Sequence, residues 1–485
     1  MCLTSIENQG QILQLITYIC LFYSTVDSCV GNNNNTVPVL PQRNSLTLPC
    51  TAESSKVSKI PNKMEVLNDP GSPETYKEIL KRKGINSQVK EVQIKIPSLV
   101  GDQFASQCKV VKVIFSDENL PPLDFFVKVA AANKEFADQM SDVLMFEKES
   151  LYFSTLLPEI QEFLEAQPGY DGFLKGLVPK CYYSSDQFIV FENLLSDGYV
   201  MLNKIDRHDL HTTKLVLKQL ARFHGGTITF LQSIGEEKFL NKYSLVASKS
   251  VWSEEGEIVN GTWTQNAVDG AIKILSSKPT LGSDKALNFF KKFEKRGFLR
   301  LCSQYRYDNQ ACSLSINHGD VWNGNLMFQR NTETKKPETC LLIDLQTIHL
   351  GSPALDLVFY IFGAVDSELR WKQWRSLLRI YYDDLEDVVT QKLGKKLKFS
   401  FEDLVSDFCS KSETGFFFGM YAIFGFEALS DAGDVVNSGG NAMENLSIAI
   451  SSYLDKVMEQ KGTIFSEKIV RAYEEFLDIS AGKSI

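Results

Sequence analysis

The sequence predicts an α+β protein, with a small β-rich N-lobe and a larger, mostly helical C-lobe. Three observations predict it. Strand-like runs cluster between Val92 and Asn193, amphipathic helical runs take over from Asp209, and a hairpin-like stretch with polar loops, residues 314–346, interrupts the helical part. With 485 residues the chain can bury a sizeable core. A net charge of −9 lacks the basic face that nucleic acid would need. Ten scattered cysteines form no C-x-x-C pair, which fits reduced thiols in a cytoplasmic protein better than a disulfide scaffold.

Residues 1–60 are expected to be a disordered extension. Within it, residues 12–26 form an apolar run too short for a membrane span, so no stable insertion is expected. A secreted alternative rests on this run, but no Lys or Arg precedes Arg43 to supply a signal peptide's charged start.

The N-lobe is placed at residues 61–194. Tyr76, Ile79 and Leu80 recur at helical spacing in a helix from Pro73 to Lys83. Val92, Ile94 and Ile96 alternate with polar residues, and a second strand runs from Lys109 to Phe115. Between them, Gly101-Asp-Gln-Phe-Ala105-Ser106 makes a small-residue turn that can offer backbone N–H groups to phosphates or close an ordinary hairpin. In the strand Asp124–Ala130, Phe125, Val127 and Val129 face one way, Phe126 and Lys128 the other. A lysine inside an apolar strand needs a partner or a cleft. Glu149, on a helix expected over Asn133–Leu156, is the natural partner. The strand Phe188–Asn193 runs into a polar linker, so Glu192 and Leu194 can offer backbone groups to a purine at a hinge.

The C-lobe is placed at residues 195–485. A long amphipathic helix carries Leu215, Leu217, Leu220, Phe223 and His224, with His224 read as a packing residue. Further helices are expected from Gly351 to Phe362, Glu368 to Leu393, Phe401 to Leu429 and Phe465 to Ile479. The aromatic run Gly415–Phe426 reads as core, or in part as a wall for an apolar ligand.

Residues 314–346 carry the chemistry. Asp320 and Asn325 stand in a D-x-x-x-x-N spacing on a tight loop between strands, and Asp344 ends the next strand. Phosphoryl transfer needs a carboxylate for the attacking hydroxyl and oxygen ligands for a hard cation on the phosphates. Asp320 suits the first role, Asn325 and Asp344 the second, and His318 is expected to orient the loop. Only twelve positions separate Asp344 from Asp356, leaving no platform for a peptide substrate, so the acceptor is expected to be a small molecule. Asp356 is expected to bond the loop backbone.

The stretch His318-Gly-Asp-Val-Trp-Asn-Gly-Asn-Leu-Met-Phe328, with Ile343-Asp-Leu-Gln346 and Gly351-Ser-Pro-Ala-Leu-Asp-Leu357, resembles the ecdysteroid-kinase-like family, relatives of choline kinases and aminoglycoside phosphotransferases. Phe126-Val-Lys128, Phe146-Glu-Lys-Glu149, Phe191-Glu-Asn-Leu194 and Leu220-Ala-Arg-Phe-His224 extend the resemblance over residues 61–480. It implies a bilobal, protein-kinase-like fold in a monomer, with ATP and magnesium between the lobes and a steroid or other lipophilic hydroxyl as acceptor. It also implies Asp320 as base, Asn325 and Asp344 as metal ligands, and Lys128 with Glu149 on the phosphates. Two departures are Asp344-Leu-Gln346, where Asp-Phe-Gln is usual, and the apolar extension.

Overall fold

The computed structural model describes residues 67, 69–95, 106–130, 144–203, 206–248, 251–253, 262–293, 297–306, 312–421, 455–456 and 458–483. The first described helix, α1 (Pro73–Arg82), starts where Ser72 accepts the Glu74 N–H and Pro73 needs no donor partner. Its buried stripe of Tyr76, Ile79 and Leu80 covers one face of a five-stranded antiparallel sheet. The strands are β1 (Val89–Lys95), β2 (Ser106–Phe115), β3 (Leu123–Ala130), β4 (Cys181–Ser184) and β5 (Phe188–Glu192), in the order β1-β2-β3-β5-β4. Strand β4 is absent from the sequence reading; it is four residues long and sits at the sheet edge. The β3 alternation divides as expected. Phe125 and Val127 join the cluster under α1, while Phe126 and Lys128 line a cleft on the other face.

That second face is crossed by α2 (Met145–Leu151), a π-helical turn at Tyr152–Leu156, and α3 (Leu157–Glu165). The expected start of this helix, residues 133–143, lies outside the described residues, as does the apolar run 12–26. The C-lobe is helical around α4 (Leu210–Ile234), which is capped by the Asp209 carboxylate on the Thr212 N–H. Then come α5 (Glu236–Lys242), α6 (Ser244–Ser248), α7 (Thr262–Ser277), α8 (Ser283–Lys291) and α9 (Gly297–Cys302). Two small ladders follow: β6 (Ser315–Asn317) pairs with β9 (His349–Gly351), and β7 (Leu326–Arg330) pairs with β8 (Pro337–Leu342). The chain closes with α10 (Ala354–Ala364), α11 (Ser367–Glu386), α12 (Phe401–Tyr421) and α13 (Gly462–Ser480).

Two expected helices differ in detail. The run 368–393 changes into a π-helical turn at Asp387–Lys392, and α12 is described only to Tyr421. In the aromatic run, Phe416, Phe417 and Phe418 are buried core, and residues 422–426 lie outside the described residues. No helix among the described residues is long and apolar enough to cross a membrane.

Candidate active site

The catalytic-loop residues hang between the two ladders. Strand β6 delivers His318, Gly319 and Asp320, and a 3-10 turn at Asn323–Asn325 leads into β7. The Asn325 side-chain amide donates to Asp320 Oδ2 at 2.7 Å and to the Asp320 carbonyl at 2.9 Å. This orientation commits the Asn325 nitrogen to Asp320 and leaves its carbonyl oxygen as a ligand atom. The Asn325 carbonyl of the main chain accepts the Ile343 N–H at 3.0 Å, which fixes the loop beside the strand end that carries Asp344.

His318 ties the loop to the strand end that carries Asp344. Its Nε2 lies 2.8 Å from the Ile343 carbonyl, and its Nδ1 accepts the Asp320 N–H at 3.3 Å. These partners require the neutral Nε2–H tautomer, and burial pushes the imidazole pKa down in the same sense. Asp356, in the first turn of α10, accepts the His318 N–H at 2.7 Å and the Gly319 N–H at 2.8 Å. Burial alone would raise the Asp356 carboxyl, but the His224 hydrogen bond and the neighbouring histidines outweigh it and hold it below its ordinary range.

Asp320 sits deep but keeps part of its surface open. Burial, with the Asp344 charge second, pushes its carboxyl up to about 8, against hydrogen bonds from Asn325 and Trp322. A carboxylate with raised proton affinity in a cleft is suited to accept a hydroxyl proton near neutral pH.

Across the cleft, Lys128 bridges two acids. Its Nζ lies 2.5 Å from Glu149 Oε2 and 2.7 Å from Asp344 Oδ1. Glu149 also accepts the Leu345 N–H at 3.3 Å, so one buried carboxylate links the sheet, α2 and the turn after Asp344. Burial raises the Glu149 carboxyl above its ordinary value; the Lys128 charge pulls it back and Asp344 adds to the rise. Asp344 takes the left-handed conformation, with φ 63°, which an aspartate tolerates at a modest strain typical of functional turns.

The cleft holds about 970 Å³ of empty space, counting open solvent at its mouth. Phe126 and Phe153 from one side and Met327 and Ile343 from the other make apolar walls, and Glu192, Asn193 and Leu194 line its end. There the Glu192 N–H donates to the Lys180 carbonyl, and the Lys180 N–H is taken by Glu192 Oε1. The Glu192 N–H is therefore already used. The hinge edge that can meet a purine reduces to the Glu192 carbonyl and the Leu194 N–H, because the Leu194 carbonyl accepts from Asp197 and Tyr199.

The donors fit magnesium. Asn325 and Asp344 both line the cleft and offer only oxygen. No cluster of three or more His, Cys, Asp or Glu suited to a metal occurs among the described residues, so a cation there would rest on Asn325 and Asp344. A hard cation held this sparingly takes its other ligands from phosphate and water.

The structure thus brings Lys128, Glu149, Asn325 and Asp344 to the lining of one cleft, with Asp320 bonded to Asn325 and His318 and Asp356 bonded to the same loop. Gly101 and Ala105 lie outside the described residues, and Ser106 is described only as the first residue of β2. Three supporting residues were not read from the sequence. Trp322 bonds Asp320, Gln346 donates to Asp344 Oδ2 at 3.1 Å, and Asn323 donates to the Asn203 and Asp206 carbonyls. All three fall within the motif, where polar atoms next to Asp320 and Asp344 in sequence were the available signal.

The profile of the ecdysteroid kinase-like family matches residues 100–395. No curated protein matches the chain. Among solved structures, a mutant aminoglycoside 2′-phosphotransferase in complex with GDP aligns over 82% of this chain and 97% of its own, at 13% identity and a TM-score of 0.32. With its profile matched over more than half of the length, the chain belongs to the ecdysteroid kinase-like family.

Proposed function

We propose that the protein is an ATP- and magnesium-dependent kinase that phosphorylates a hydroxyl of an ecdysteroid-like steroid or other lipophilic small molecule. The observation that carries this reading is a cleft lined by Lys128, clamped by Glu149 and Asp344, and by Asn325, whose amide holds Asp320 beside it. Lys128 is placed to meet phosphate oxygens, and Asp320 to orient a hydroxyl and take its proton. Asn325 and Asp344 would hold magnesium, which supplies positive charge to the phosphates when bound. The walls of Phe126 and Met327 suit a flat purine. Between Asp344 and Asp356 the chain makes only a 3-10 turn, β9 and the entry to α10, which supports a small acceptor over a peptide.

The test is Asp320→Asn, assayed with Mg-ATP and a panel of polyhydroxylated steroids and other lipophilic alcohols. Turnover is expected to fall by roughly 10²–10⁴-fold, the usual weight of a general base. Mg-ATP binding, read as a thermal shift, should persist. Undiminished turnover in Asp320→Asn would remove the base from the scheme. Nucleotide binding with no phosphorylated acceptor in any class would leave a nucleotide-binding scaffold instead of a kinase.

A further inference from the structure

We propose that His224 and Tyr381 are positioning residues that hold the catalytic loop in register through Asp356; only the turnover readout below rests on the kinase reading. His224 lies in the middle of α4 and is 0% exposed. Its Nε2 is 3.1 Å from Asp356 Oδ2 and its Nδ1 is 2.7 Å from the Tyr381 hydroxyl on α11. An ionised carboxylate only accepts, so Nε2 carries the proton and donates it to Asp356. In the neutral ring Nδ1 is then a bare acceptor, and the Tyr381 O–H donates to it. The hydroxyl thereby selects the tautomer that Asp356 requires.

Asp356 in turn accepts the N–H groups of His318 and Gly319, the two residues before Asp320. The line Tyr381–His224–Asp356–Gly319 ties α11, α4 and α10 to the catalytic loop with four hydrogen bonds. Both ring nitrogens of this buried histidine meet polar partners, and one of those partners is the carboxylate that carries the loop. Without the His224 donor, Asp356 Oδ2 keeps only the loop N–H as a fixed partner. The carboxylate is then held only by the two loop amides it fixes, and the loop loses its tie to α4.

The experiment is hydrogen exchange on the full chain, resolved to the His318 and Gly319 amides. In His224→Ala these amides should exchange roughly ten- to hundredfold faster, the effect of losing one charge-assisted hydrogen bond. Peptides of α4 and α11 should keep their protection. His224→Gln, whose amide can donate to Asp356, should restore the loop. Tyr381→Phe, which removes a single hydroxyl, should give a smaller acceleration of the same two amides, and it carries the test if His224→Ala does not fold. In turnover, kcat should fall while KM for Mg-ATP stays. Unchanged exchange at His318 and Gly319 in Tyr381→Phe and His224→Ala overturns the proposal, as does uniform loosening of α4. If the exchange pattern holds while the wild-type protein phosphorylates no acceptor, the kinase reading fails and the relay stands.

Discussion

Gly319 shows how little freedom the catalytic loop has. Its φ is +84°, and a Cβ added there would lie 2.4 Å from the Thr347 carbonyl oxygen and 3.0 Å from His349 Nδ1. The left-handed backbone alone costs an L-residue about 1–2 kcal/mol. The closer contact is with backbone, which cannot swing aside as a flexible side chain would. Gly319→Ala is therefore expected to displace the Asp320 carboxylate and lower turnover by at least about 10²-fold, the scale of misplacing a reacting group by an ångström. Binding at the Glu192–Leu194 edge should change less, because that edge is built by β5 and not by this loop. Steady-state kinetics beside nucleotide titration separates the two, and near-normal kcat would refute the argument. At this scale the sequence is most legible where chemistry forces spacing. Asp320, Asn325 and Asp344 were readable because few other reasons put those residue types on adjacent loops. Tyr381 was unreadable, because an aromatic residue on an amphipathic helix looks the same whether its hydroxyl has a partner or not.

Elements were legible in proportion to how strictly they repeat. The β3 alternation identified Lys128 as inward-facing because the pleat gives every second residue one face. Strand β4 was missed because four residues are too few for a period, and the π-helical turn after α11 because its sequence continues the helical pattern. Long-range ties between helices were invisible for another reason: the partners lie about a hundred residues apart. Arg370 on α11 is the clearest case. It is paired with Glu475 on α13, with one contact from Nη2 to Oε2 at 2.8 Å, and its Nη1 donates to the Ile361, Phe362 and Val365 carbonyls at the end of α10. The Glu475 side chain is 0% exposed. Arg370→Met should destabilise the chain by about 3–5 kcal/mol, because it strands a buried carboxylate as well as three carbonyls. Adding Glu475→Leu should recover part of the loss by removing the orphan charge, but not the part owed to the α10 carbonyls. Urea unfolding of the three variants measures both terms. Equal stability of the single and double variants would mean that Glu475 is not the main cost.

Across the whole molecule, apolar burial also sets how the fold responds to acid, through histidines kept neutral. His208 precedes α4; its Nδ1 is 2.9 Å from the Tyr360 hydroxyl and its Nε2 is buried with no partner among the described residues. Burial pushes its pKa down to about 4, and does the same to His349. A proton on His208 Nε2 would have no acceptor to meet, so the geometry and the shift agree. The sign follows from linkage. Between the unfolded value of about 6.5 and the folded value of about 4, the unfolded chain binds a proton that the folded chain refuses. Stability therefore rises with pH across that window and is lost on acidification, by on the order of 2 kcal/mol per histidine at pH 5. Asp320 works in the opposite direction, since its raised carboxyl takes up a proton more readily folded than unfolded. A raw pH profile mixes these contributions, whereas a variant comparison isolates one. His208→Gln removes the titrating ring, so its destabilisation relative to wild type should be larger at pH 7 than at pH 5 by on the order of 2 kcal/mol. Denaturant unfolding of both proteins at the two pH values measures that difference. A cost independent of pH would show that His208 takes up its proton as readily in the folded chain as in the unfolded one, with an acceptor that the folded lobe must then supply.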